Sequence, residues 1–282
     1  MRQRKLLAMV LVFMITLAVT NSLALDFSPA PTAAEDSYIS ASEYQDDTLH
    51  VKIEEIQRDD SIYHVAYIDI ADPSQMRTAL SGDPGASSKA KPSVIAKAYN
   101  AVIAINGDSY LYRGSGYIVR QGQLLRKSAS LTLDMLIIDT AGDFHVVRKP
   151  TKAKITEALK AYEIAQCFTF GPVLVDNSEV QTVYNTYGFA PQDRSPRTAI
   201  GQLGPLRYVL VVVDGRLEQS RGVTHKQLAE FMGSLGCTVA YNLDGGGSST
   251  MVFHGQVYNS LSEGEERDNS DIIYFATGVI EP

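Results

Sequence analysis

Short apolar runs rich in valine and isoleucine, each closed by turn-forming residues, restrict this chain's fold more than any other feature. The strongest, Arg207 to Asp214, is rich in β-branched valine, which suits a pleated, buried surface better than a helix. Alternation at Val51 and Ile53, then at Ile62, His64, Ala66, Ile68 and Ile70, predicts a hairpin around Arg58-Asp59-Asp60. Further strands are expected at 101–105, 168–175, 237–243 and 271–280, with hairpins at 131–140/144–147 and 251–257. The Gly171-Pro172 step inside 168–175 implies a bulge or an edge position. Helices are few. Residues 92–100 carry Pro92 near the first turn, 155–164 form a short helical stretch, and 224–235 place Leu228, Phe231, Met232 and Leu235 on one face. Thr224 is its cap and Gly236 its stop. Few helices separate consecutive strands, so the expected class is α+β: a single domain on a mainly antiparallel or mixed β-sheet, not a doubly wound parallel fold.

Residues 1–24 read as a signal peptide or an N-terminal anchor. They combine a basic start, an apolar stretch from Leu6 to Val19 and the small-residue pattern Ser22-Leu23-Ala24. The chain is therefore expected to be secreted, by cleavage after Ala24, or attached to the outer face of the membrane by the uncleaved segment. Residues 25–47, rich in Ser, Ala, Pro and Asp, are expected to be a flexible spacer, and 48–282 the folded domain. The formal net charge of −7 falls to −10 without residues 1–24, which hold Arg2, Arg4 and Lys5 but no acid. That balance argues against a nucleic-acid partner. Two cysteines, Cys167 and Cys237, exclude a disulfide scaffold. They are expected to be buried thiols, with a single bridge as the alternative.

Three strand ends deliver polar residues into turns, at 106–110, 194–201 and 242–250. If they converge, they offer the carboxylates of Asp108 and Asp244, the guanidinium groups of Arg194 and Arg197, the Asn106 amide and several hydroxyls. Arginine suits a planar two-point grip on phosphate or carboxylate. Paired carboxylates can protonate a leaving oxygen, activate water or attack an anomeric carbon. The Tyr- and Arg-containing loop 110–120 suits a sugar ring or ordinary packing, 176–196 reads as a surface loop or lid, and 262–270 as a charged, exposed linker. The five histidines are scattered, so no zinc site is expected, and one carboxylate is a thin ligand set for calcium. No cofactor is expected. The serines at 195, 248 and 249 lack a Gly-x-Ser-x-Gly elbow with a placed histidine.

Four strings in order, AING (104–107), FGPVLV (170–175), SPRTAIG (195–201) and NLDGGGSST (242–250), resemble the phosphodiester glycosidase family over roughly residues 49–282. The resemblance implies hydrolysis of the bond between a sugar's anomeric carbon and a phosphodiester oxygen. An N-acetylglucosamine-type sugar, in cell-surface or exopolysaccharide metabolism, is the expected setting. It also implies catalytic roles for Asp244, Arg197 and Asn106, and substrate binding by Gly245, Gly246, Ser248 and Ser249, with Asp108 beside them. Arg197 would grip phosphate, Asp244 act as base or nucleophile, and the 245–247 amides hold an anionic oxygen. The chain departs from the family at Asp108-Ser109-Tyr110, where many members carry another glycine and an aromatic pair. That departure leaves a non-catalytic glycan-binding module as the alternative. Cleavage on the phosphorus side, releasing sugar phosphate, is a third outcome.

Overall fold

A computed structural model describes residues 25–279, apart from 85, 184–187 and 189. The expected signal or anchor segment, 1–24, lies outside them. The apolar runs pair into three antiparallel sheets. The largest orders Tyr38–Ser40, Glu43–Gln45, Leu49–Arg58, Ser61–Ile70, Arg207–Val213, Arg197–Gly204, Val239–Asn242, Val173–Asp176 and Glu179–Val180. A second orders Phe144–Val147, Met135–Asp139, Ile164–Thr169, Gly116–Arg120 and Gln123–Ser128. The third orders Gln256–Val257, Met251–Phe253, Ile103–Asn106, Asp271–Phe275 and Met76–Leu80. The hairpin at 49–70 turns on Asp59 and Asp60, both with positive φ, as a tight hairpin turn with right-handed strand twist requires.

Three α-helices are described: α1 Pro92–Ala98, α2 Lys152–Ala161 and α3 His225–Ser234. Thr224 caps α3 with a reciprocal bond to Gln227, and Leu228, Phe231 and Met232 bury its inner face against the large sheet. Burying each such side chain stabilises the fold by about 1.5–3 kcal/mol. The α+β expectation holds. The principal core lies between the sheets, where Ile103, Ile105, Phe168, Ile200, Tyr241 and Phe275 meet.

Four local expectations are corrected. The spacer at 25–47 includes two strands of the large sheet, and Tyr44 is buried there, its hydroxyl donating to Asp46; alternation too short to stand out in sequence suffices for an edge hairpin. Helix α2 begins at Lys152, after its Thr151 cap, and Ile164 already belongs to a strand. Phe168–Val175 is not one bulged strand. Ile164–Thr169 lies in the second sheet and Val173–Asp176 in the largest, so Gly171-Pro172, a cis peptide, carries the chain between them. Finally, 262–270 is a strap, not a free linker: Glu266 accepts from the Ser93 amide and hydroxyl at the start of α1, and Asn269 and Ser270 are buried.

Cys167 and Cys237 are buried free thiols. Burial pushes the Cys237 thiol up to about 12.

Candidate active site

The three polar turns meet because their strands do. Arg197–Gly204 and Val239–Asn242 are neighbours in the large sheet, and Ile103–Asn106 ends beside them from the third. Asn106 ties the junction. Its Oδ1 accepts from Thr198 Oγ1 at 2.8 Å and the Thr250 amide at 3.1 Å, and its Nδ2 donates to the Asp244 carbonyl at 2.8 Å. The residue is wholly buried, so the direct catalytic role expected for it is corrected. An amide with its oxygen doubly engaged and its nitrogen bonded to backbone carbonyls has no edge left for substrate, and Asn106 positions Asp244 instead.

Asp244 is held at both carboxylate oxygens. Gly245 N donates to Oδ1 at 3.0 Å, and Ser109 Oγ donates to Oδ2 at 2.5 Å. Ser109 sits in the left-handed region, at φ 52 and ψ 45, which brings its hydroxyl toward the opposite turn. Two cavities share Asp244 and Arg267 in their linings. One, about 330 Å³, includes Ser195, Arg197, Arg216, the 245–247 glycines and Arg267 in its lining. The other, about 260 Å³, is lined by Ser109, Tyr112, Arg113, Asp244, Ser248 and Arg267. Larger clefts of about 540 and 510 Å³ lie elsewhere and are lined by none of the three turns.

Arg197 lines the first chamber but is largely committed. Its Nε donates to the Val223 carbonyl, and its Nη2 to those of Ala190 and Asp193 at 3.2 and 2.8 Å. Burial and then the Arg216 charge lower its pKa to about 10, so it remains a cation at neutral pH. Arg194 points elsewhere, to the carbonyls of Gly222 and Asp59.

The glycine loop is also partly committed. Gly245 N serves Asp244, and Gly246 N donates to the Pro196 carbonyl at 2.9 Å, so the expectation of three amides free for an anion is corrected. Gly246 has φ +64, and a side chain at 247 would collide with the Glu263–Arg267 ion pair that crosses it. Ser248 reaches the second chamber, whereas Ser249 lines neither; its hydroxyl is buried without a hydrogen-bond partner among the described residues.

Asp108 is corrected outright. Fully buried, it accepts from Arg120 Nη2 at 2.6 Å and from the Thr169 amide at 3.1 Å, and Arg120 also donates to Asp271 at 2.9 Å. This triad joins the second and third sheets and does not meet a substrate. Sequence reasoning missed Arg216, Asp193, Ser109 and Arg267 as lining or orienting residues. Arg216 and Arg267 follow turn or charged segments that resemble ordinary surface, whereas Ser109 stood inside a turn already singled out.

His225, at the start of α3, is buried beside this site. Burial, with the Arg197 charge adding and the Asn242 side chain partly opposing, drives its pKa from 6.5 to about 3. A neutral histidine of this kind contributes stability that is complete above about pH 6.5 and lost as pH falls toward 3. Urea unfolding should therefore show a loss of about 2 kcal/mol between pH 7 and pH 5 from this group. His225→Gln should flatten that slope; an unchanged slope would refute the assignment.

The model of the phosphodiester glycosidase family matches residues 99–276. The SPbeta prophage-derived protein YomE of Bacillus subtilis is 39% identical over 100 residues, which is 36% of this chain and 16% of that protein. The N-acetylglucosamine-1-phosphodiester alpha-N-acetylglucosaminidase of Bos taurus is 46% identical over 69 residues, 24% of this chain and 13% of the relative. Both matches thus span under a fifth of the relatives' own length. Among solved structures, the catalytic domain of the zebrafish N-acetylglucosamine-1-phosphodiester alpha-N-acetylglucosaminidase, auto-inhibited by its pro-peptide, superposes with a TM-score of 0.64. Its identity is 22%, over 88% of this chain and 87% of that one. A hypothetical protein from Synechocystis gives 0.58 at 15% identity, over 82% and 62%. These likenesses establish the fold.

Proposed function

The chain belongs to the phosphodiester glycosidase family, and from that premise we propose that it hydrolyses the bond between a sugar's anomeric carbon and the oxygen of a phosphodiester. The observation that carries this reading is Asp244. It is a carboxylate gripped at both oxygens, shared by the linings of two chambers, with arginines lining the polar space beside it. The departing group is a phosphate monoester, already a stable anion, so the leaving oxygen needs little protonation; guanidinium groups supply the charge stabilisation. Asp244 serves as base toward water or as nucleophile at the anomeric carbon. In the net reaction the carbon–oxygen bond to phosphate breaks, water's oxygen bonds to the anomeric carbon, and its proton ends in the medium.

An N-acetylglucosamine-type sugar is the first candidate, since that is the sugar named for the relatives of similar sequence. Export and a role in cell-surface or exopolysaccharide metabolism belong to the same proposal, resting on the pattern of residues 1–24. The direct test incubates purified protein with the methyl phosphodiester of N-acetylglucosamine 1-phosphate. Free sugar and methyl phosphate in equal amounts are expected. Release of sugar 1-phosphate and methanol would place cleavage on the phosphorus side, and binding without any product would favour a glycan-binding module.

A further inference from the structure

Resting on the reading above, we infer that substrate lies across Asp244 in one orientation, its phosphate against Arg216 in the first chamber and its sugar ring against Tyr112 in the second.

Arg216 differs from Arg197 in what its guanidinium already does. Arg197 is buried and donates to three backbone carbonyls. Arg216 is exposed, and its one side-chain hydrogen bond among the described residues is a long one, 3.4 Å, to Ser195 Oγ. No carboxylate among the described residues pairs with it; the acids lining that chamber are Asp193 and Asp244. Its Nη2 lies 3.4 Å from where a side chain on Gly246 would begin, so the guanidinium stands directly over the glycine loop. Two neighbouring arginines, neither salt-bridged among the described residues, repel one another, and an anion between them relieves that repulsion.

The second chamber has a different character. Tyr112 is 62% exposed and lines it beside Ser109 and Ser248. Lys89 Nζ stands 3.7 Å from the ring centroid, so the side chain has a fixed neighbour while its apolar body stays open. An exposed aromatic flanked by hydroxyls is a surface for the C–H face of a pyranose and its rim of hydroxyls. Of that chamber's two arginines, Arg113 stacks 3.9 Å from the Phe170 ring centroid and donates to the Thr169 carbonyl at 2.9 Å. Arg267 borders both chambers and is paired with Glu263, so it does not distinguish them.

The test measures binding of two probes, inorganic phosphate and N-acetylglucosamine, by NMR titration of the full chain and of two variants. Residue 216 has φ 59, a region asparagine adopts more readily than alanine, so the first variant is Arg216→Asn. The second is Tyr112→Ala, at an exposed position. Arg216→Asn should weaken phosphate binding about tenfold to a hundredfold and leave the sugar's affinity within twofold; Tyr112→Ala should do the reverse. Equal losses on both probes, the opposite pattern, or wild-type protein that binds neither probe would overturn the placement. Binding is read without turnover. The crossed pattern in the two variants, together with wild-type protein that releases no sugar, would sink the catalytic reading alone.

Discussion

Asp244→Asn should lower the turnover of a sugar-1-phosphodiester by about a thousandfold or more while leaving the thermal unfolding transition close to that of the parent protein. The magnitude follows from removing a general base or nucleophile, worth roughly two to four orders of magnitude or more. The selectivity follows from geometry. Asparagine keeps an oxygen that accepts from Gly245 N or Ser109 Oγ, and the backbone carbonyl that Asn106 holds is untouched. Stopped assays of free sugar release, with circular dichroism as the folding control, read both quantities. Near-native turnover in a folded variant would remove Asp244 from the chemistry.

The largest stability effect is expected away from the chambers. Arg120→Met should destabilise the fold by about 3–5 kcal/mol, because it strands two carboxylates in the interior. Arg120 bridges Asp108 and Asp271, donates to the Cys167 carbonyl at 2.6 Å, and lies 4.1 Å from the Phe168 ring centroid. Burial pushes Asp271 above the usual carboxylate range, with Asp108 adding to the shift and Arg120 opposing it. A carboxylate raised in this way favours the folded state less as pH climbs from its unfolded value through the folded one. The penalty of the variant should accordingly be largest at neutral pH and shrink toward pH 5. Equilibrium denaturation at the two pH values measures it; a loss below about 1 kcal/mol at neutral pH would show that the triad does not tie the second and third sheets together.

Much of the site was legible because strand ends announce themselves. Apolar runs that stop at Asn106, before Arg197 and at Asn242 mark where backbone leaves a sheet, and the glycines after Asp244 mark a loop that other groups must approach closely. What each side chain does there was less legible, because type does not reveal direction. Asn106, Arg197 and Asp108 are all polar residues at the right turns. Burial assigns Asn106 and Asp108 to internal networks, and carbonyl contacts take up most of Arg197. Arg216 escaped notice for the opposite reason, since an arginine after Asp214-Gly215 looks like any solvated hairpin turn. The edge strands at 38–45 and the split of 168–176 between two sheets were hidden because pairing partners, not local pattern, decide them.

The Asn106 junction also bears on when the site can exist at all. Its carboxamide joins chain segments 92, 138 and 144 residues away along the sequence. Contacts that distant form only after the intervening loops have closed, and a sheet-rich topology makes that closure slow. No fragment ending before residue 250 contains all three partners. A nascent chain emerging amino terminus first therefore carries neither an assembled Asp244 nor its support until most of its length is available, and the Asp244 carboxylate becomes oriented only near completion of folding.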